Sequence, residues 1–202
     1  MAWDKLADEP IVESTAEALR KRGMEVIVVN SGEEAKKKLL ELIPEGSEVG
    51  AGSSTTLDEI GVSKEIDESG RYDSVRKRIT AISDEKARAE ARRKSTGSKY
   101  GLGSVQAITQ EGQLVSASGT GSQLSIYAFG AEKLILVVGT QKIVRNIEEA
   151  MKRIYEYALP LESERIRKAY GGTGSSVSKI LTIEKERPGR ITLILVKQKL
   201  GF

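Results

Sequence analysis

Two spacings of apolar residues alternate along the chain. Ile11, Val12, Ala16 and Leu19 fall at helical spacing behind Pro10, whose missing N–H is harmless in a first turn, and Gly23 stops the run. Residues 24–29 are short and almost continuously apolar, the pattern of a strand buried on both faces. Ser31 and Glu34 form a capping-box pair that opens a helix striped by Ala35, Leu39, Leu42 and Ile43 and ended by Pro44. A short strand over 47–50 leads into a Gly/Ser/Thr loop, and Thr55 with Asp58, or Thr56 with Glu59, signals the next helix start. The order α-β-α-β-loop-α predicts a mostly parallel sheet with helices on both faces.

Residues 61–96 are polar and charged, with a helix expected over 84–94. A Ser/Gly-rich linker follows over 95–103. Residues 105–109 and 113–116 flank Gln110-Glu111-Gly112 and read as a hairpin. A small-residue helix is expected over 123–129 and a second buried strand over 133–138. Ile147, Ala150, Met151, Ile154, Tyr155 and Ala158 mark an amphipathic helix. Pro160 is expected to open another, to about Tyr170. Residues 171–176 read as a connector. Two strands, 177–184 and 190–197, close the chain around an Arg187-Pro188-Gly189 turn. No internal repeat is visible, so one α/β domain over 1–202 is expected, with residues 1–23 as an N-terminal helical arm.

Composition removes several kinds of chemistry. The chain has neither Cys nor His. It offers no disulfide, thiolate metal site, iron–sulfur ligand or Ser-His-Asp triad, so no metal and no cofactor are expected. Catalysis would fall to carboxylates, Lys, Tyr, hydroxyls or backbone amides. The 32 basic and 29 acidic residues leave a net charge of only +3. The basic runs Arg20-Lys21-Arg22, Lys36-Lys37-Lys38 and Arg92-Arg93-Lys94 read as solvated helix faces, and no nucleic-acid partner is expected. No stretch has the length of a membrane span and the N-terminus has no apolar signal core, so the expected location is cytoplasmic.

The candidate chemistry lies in glycine- and hydroxyl-rich loops. Gly50, Gly52, Ser53, Ser54, Thr55 and Thr56 stand between a strand and a helix start, where amides, hydroxyls and the helix end can hold a phosphate or carboxylate. The run is neither a Walker A loop nor a full dinucleotide fingerprint. Gly119, Thr120, Gly121 and Ser122 form a second such loop. If both follow strands of one parallel sheet, they line one crevice. Gly103 and Gln106 open the hairpin; Gln106 either orients a ligand or satisfies a neighbouring loop. Glu111 and Lys142 are the candidate proton carriers; Glu111 otherwise reads as a solvated hairpin-turn carboxylate, and Lys142, just past a buried strand, either pairs with an anionic substrate or is an ordinary surface lysine.

Residues 103–144 carry a resemblance. The stretch Gly-Ser-Val-Gln-Ala-Ile-Thr-Gln-Glu-Gly-Gln-Leu-Val, the Gly-Thr-Gly-Ser loop and Phe-Gly-Ala-Glu-Lys-Leu-Ile-Leu-Val-Val-Gly-Thr-Gln-Lys-Ile-Val resemble the core signature of the LUD-domain (lactate-utilization) family. Gly-Ser-Ser-Thr-Thr-Leu-Asp-Glu-Ile-Gly at 52–61 matches as well, as does the chain's ending, which is similar to the short stand-alone members. The resemblance implies a three-layer α/β/α fold with a mostly parallel, Rossmann-like sheet, like that of ribose-5-phosphate isomerase, glucosamine-6-phosphate deaminase and the CoA transferases, with additional C-terminal strands. It implies a role in lactate or other 2-hydroxy acid utilization. The ligand would be a small anionic, phosphorylated or CoA-linked metabolite, the partners iron–sulfur redox proteins, and the oligomer a homodimer. The alternatives are a non-catalytic metabolite-binding subunit on the same scaffold and a plain assembly module. Gln106, and Ser122 in part, stand where the family usually has Asn. Residues 171–176 lack the cysteine cluster of many short members. Glu68 is the nearest candidate by order for the CoA-transferase nucleophile and is not assigned that role.

Overall fold

The computed structural model describes residues 3–202, with backbone only at Tyr170. Its central element is a six-stranded, wholly parallel sheet in the order β1-β10-β7-β4-β2-β3, formed by Glu25–Val29, Ile191–Val196, Lys133–Gly139, Tyr100–Gly103, Glu48–Ala51 and Asp73–Ser74. The continuous apolar runs seen in the sequence are its middle strands. Their alternate residues divide cleanly: Leu134, Leu136, Leu193 and Leu195 enter one core, and Ile135, Val137, Ile194 and Val196 the other.

The second of these cores is covered by α2 (Gly32–Glu41), α3 (Thr55–Glu59) and α4 (Val62–Glu68), which contribute Leu39, Leu57 and Ile66. α2 begins as its sequence predicts. Ser31 Oγ accepts from the amide of Glu34 at 3.2 Å, and the Glu34 carboxylate accepts from the amide of Asn30 at 2.9 Å. Ser31→Ala is therefore expected to cost about 1 kcal/mol, read as a lower urea midpoint with an unchanged slope. The α3 start departs from expectation. Its cap is Ser54, which accepts from the amide of Leu57 at 3.4 Å, and Thr55 and Thr56 lie inside the helix.

The other face carries α1 (Glu9–Lys21) and a second sheet of four strands in the order β8-β5-β6-β9. These strands are Ile143–Val144, Ala107–Thr109, Leu114–Ser118 and Lys179–Ile183. β5 and β6 form the predicted hairpin. Ala16 and Leu19 of α1 share one core with Val105, Ile108 and Leu114 in and beside the hairpin, so the helix read as an arm is seated in the body of the fold. Behind the small sheet, α8 (Ile147–Arg153) packs Ala150 against Ala107 and Val115. The fold is thus α/β with a parallel central sheet, and one helical layer is shared with strands. The two closing strands part company: β9 ends the small sheet, whereas β10 inserts between β1 and β7.

Pro160 does not start a separate helix. α8 continues through a π-helical turn, Ile154–Ala158, into α9 (Leu159–Tyr170). Proline has no N–H to return to a carbonyl of the preceding turn, and the wider turn sits where that bond is lost. Among the described residues no helix is long and apolar enough to cross a membrane.

Candidate functional site

Three adjacent strands of the central sheet, β7, β4 and β2, end side by side and deliver three side chains to one point. Beyond β2 the chain turns through residues 52–54 into α3, which carries Thr56. Directly after β4 comes Ser104. After β7 a 3₁₀ turn, Thr140–Lys142, carries Lys142. Carboxyl ends of parallel strands share one edge, so residues far apart in sequence converge there. Lys142 Nζ donates to Thr56 Oγ1 at 3.0 Å and to Ser104 Oγ at 3.1 Å. All three residues line a cleft of about 320 Å³, a size that suits a small metabolite.

Lys142 is 2% exposed. Among the described residues it has no carboxylate as an ion-pair partner; its contacts are the two hydroxyls. Burial pulls its ammonium down from an ordinary value of 10.5 to about 7. The positive charge of Arg153 adds to the fall and Glu59 opposes it. Arg153, at the end of α8, is a second buried cation, with no surface exposed. It donates to the carbonyls of Gln106 and Trp3, and its guanidinium lies 5.2 Å from the Tyr157 ring centroid. Among the described residues its Nε has no hydrogen-bond partner. Burial lowers its pKa to about 10, with Tyr157 opposing.

The wall of the cleft is rigidly tied. Tyr127 Oη donates to the Ser104 carbonyl at 3.0 Å and accepts from the Ser104 amide at 3.1 Å and from Gln123 Nε2 at 2.6 Å. Burial raises the Tyr127 pKa, so it stays neutral. Opposite, Gln106 Oε1 accepts from the Ala117 amide at 2.9 Å and Nε2 donates to the Ala117 carbonyl at 3.4 Å. Of its two expected roles the structure places the side chain on backbone, bridging β5 and β6, although the residue also lines the cleft.

The candidate residues divide as follows. Gly52, Ser53, Ser54, Thr55, Thr56, Gln106, Gly119, Thr120, Ser122 and Lys142 all line this cleft, so the two loops face one space. They do so for a different reason than the sequence suggested, because residues 119–122 follow β6 of the small sheet, not a strand of the parallel one. The helix end contributes little to anion binding, since α3 is one turn long and Ser54 already caps it. Gly50, Gly103 and Gly121 lie behind the lining. A side chain at Gly50 would meet Ser98 and one at Gly103 would meet Tyr127, while Gly121 adopts a φ of 87° against Lys179.

Glu111 is a correction. It sits exposed in the β5–β6 turn, where its carbonyl accepts from Arg22 Nε at 2.6 Å, and it does not line the cleft. Conversely, the connector at 171–176 supplies Ser175 and Ser176 to the rim. Arg92, read as a solvated helix residue, reaches the cleft and donates to Ser122 Oγ at 3.2 Å. Arg165 and Glu162 form a bidentate pair at the same mouth, with two contacts of 2.7 Å. Ser104 stood beside the quoted Gly103 but carried no signal of its own. Among the described residues no group of three or more Asp or Glu could hold a metal ion.

Residues 12–196 match the family model of the LUD domain. The structure is similar to that of a DUF162 family protein from Deinococcus radiodurans, with a TM-score of 0.59 and 11% identity over 95% of this chain and 99% of that one. It also overlaps in part with ribose 5-phosphate isomerase A from Neisseria gonorrhoeae, at a TM-score of 0.37 and 14% identity over 77% and 76% of the two chains. No curated protein matches the sequence.

Proposed function

The chain belongs to the LUD-domain family, and we propose that its cleft binds a small organic acid of the 2-hydroxy or 2-oxo class used in lactate utilization. The observation that carries this reading is Lys142, a buried cation on the lining of the cleft that has no carboxylate partner among the described residues. A buried charge without a counter-ion is costly, and an anion seated above Lys142 would offset that cost. The hydroxyls of Thr56, Ser104, Thr120 and Ser122 supply hydrogen-bond donors for carboxylate and hydroxyl oxygens. Arg92 at the mouth gives a phosphorylated or CoA-linked acid a second point of charge contact. With no cysteine or histidine in the chain, oxidation of a 2-hydroxy acid would pass its electrons to a partner, in this reading an iron–sulfur protein.

The test is thermal stability against lactate, pyruvate, glyoxylate, sugar phosphates, CoA and nucleotides. A ligand at about 100 times its dissociation constant is expected to add roughly 2.7 kcal/mol. The 2-hydroxy and 2-oxo acids should shift the midpoint, and Lys142→Met should end the response. Stabilisation by nucleotides alone, or by no acid at all, overturns the proposal.

A further inference from the structure

The hydroxyl pair that holds Lys142 also prepares it for chemistry that a simple anion anchor does not need. We propose that the Lys142 amine, seated between Thr56 and Ser104 on the cleft floor, condenses reversibly with the carbonyl of a 2-oxo acid to form an imine. The inference rests on the acid-binding reading above and assigns a covalent step to the same cleft.

Three observations support it. First, Nζ is fixed. The Lys142 side chain is buried to its end and held by two hydroxyl oxygens at 3.0 and 3.1 Å, so the nucleophile is positioned before substrate arrives. A neutral amine has two N–H groups and one lone pair. Two acceptors occupy both N–H groups and leave the lone pair for a carbon atom in the cleft. Second, among the described residues no carboxylate within ion-pair reach holds the amine in its charged form. Desolvation and the Arg153 charge bring its pKa to about 7, so the nucleophilic form is populated near neutral pH, whereas a solvated lysine is neutral to about 1% or less there. Third, the two hydroxyls can relay protons. Thr56 Oγ1 donates to Ser104 Oγ at 3.4 Å, which links both to Nζ in one chain of exchangeable hydrogens.

The step balances without any oxidant. The nitrogen lone pair attacks the carbonyl carbon, and the C=O π pair moves to oxygen, which takes the proton nitrogen gives up through the hydroxyl relay. In the second stage nitrogen forms the C=N bond as the C–O bond breaks. Oxygen leaves as one water molecule, carrying the second amine hydrogen. The product is a neutral imine; its nitrogen takes a proton back through the hydroxyl relay to become an iminium, for which the 2-carboxylate in the cleft is the partner.

The experiment uses the full-length protein with pyruvate, with and without sodium borohydride, followed by intact mass and peptide mapping. The expected result is one reduced pyruvate per chain, mapped to Lys142, with a yield that rises from pH 6 to pH 8. It should be absent from Lys142→Met and absent when lactate, which has no carbonyl, replaces pyruvate. Pyruvate that raises the thermal midpoint but leaves no adduct at any of these pH values overturns the imine and leaves the acid-binding reading standing. Adducts spread evenly over surface lysines overturn it too. Neither stabilisation nor adduct overturns both.

Discussion

Lys142→Met is expected to make the ligand-free protein more stable at pH 6, with the gain fading as pH rises towards 10. In the unfolded chain Lys142 has the ordinary pKa of 10.5, and in the folded chain about 7. Between these values the unfolded state holds one more proton on this residue than the folded state. Stability then rises with pH across the window. Below pH 7 both states hold the proton, and the fold carries the whole cost of a charge in a desolvated floor, on the order of 5 kcal/mol for that displacement. Above 10.5 the cost is gone. Methionine carries no proton, so the variant lacks this slope. It also loses the contacts to Thr56 and Ser104, each worth about 1 kcal/mol. The net gain at pH 6 is thus about 2–3 kcal/mol, and at pH 10 it has reversed to a loss of about 1 kcal/mol. The charges felt by Lys142, Arg153 and Glu59, are the same in both proteins, so the difference between the two urea midpoints isolates this residue. A gap that stays constant from pH 6 to pH 10 would contradict a depressed lysine. The variant is expected to gain stability while losing the acid response, the behaviour of a residue retained for function at a cost to the fold.

The sequence made some of this site legible and hid the rest for identifiable reasons. Lys142 could be singled out because it follows a strand that is apolar throughout, and such strands end at the ligand edge of a parallel sheet. In sequence Glu111 is a carboxylate well placed near the glycine-rich loops and also a hairpin-turn residue, and the structure keeps only the second. Five strand residues extend about 16 Å, so a hairpin whose base borders the cleft carries its turn to the far end. There Glu111 meets Arg22. Arg153 gave no signal, because an arginine in an amphipathic helix reads as a solvated position. Only the fold shows that α8 turns it inward beneath Gln106. The place of β10 was equally hidden. Its apolar run predicts a strand buried on both faces, but which two strands flank it depends on crossovers that leave no local pattern. Local signals of capping, periodicity and turn chemistry thus specified most elements, whereas convergence of Thr56, Ser104 and Lys142 is a property of strand order.

Gly103→Ala is expected to be the most disruptive small substitution near the site. A Cβ at Gly103 would lie 1.6 Å from Tyr127 Oη and 2.6 Å from its Cζ, with Tyr127 itself fully buried. The ring cannot swing aside freely, because its hydroxyl bridges the amide and carbonyl of Ser104 and the amide group of Gln123. Displacing it combines overpacking, typically about 1–3 kcal/mol, with buried polar groups left unpaired, about 1–3 kcal/mol more. A loss of about 3–5 kcal/mol is expected, measured by denaturant midpoint, and Ser104 would lose the clamp that aligns it with Lys142. Because so large a loss could arise from any distortion of β4, the cause is tested by a double-mutant cycle. Tyr127→Leu removes the hydroxyl and Cζ together, at its own cost in packing. On that background the added cost of Gly103→Ala should fall to about 1 kcal/mol or less, since the Cβ then has room. If the full cost persists, the glycine is required by the strand and not by the tyrosine, and the coupling between Gly103, Tyr127 and the seat of Lys142 is refuted.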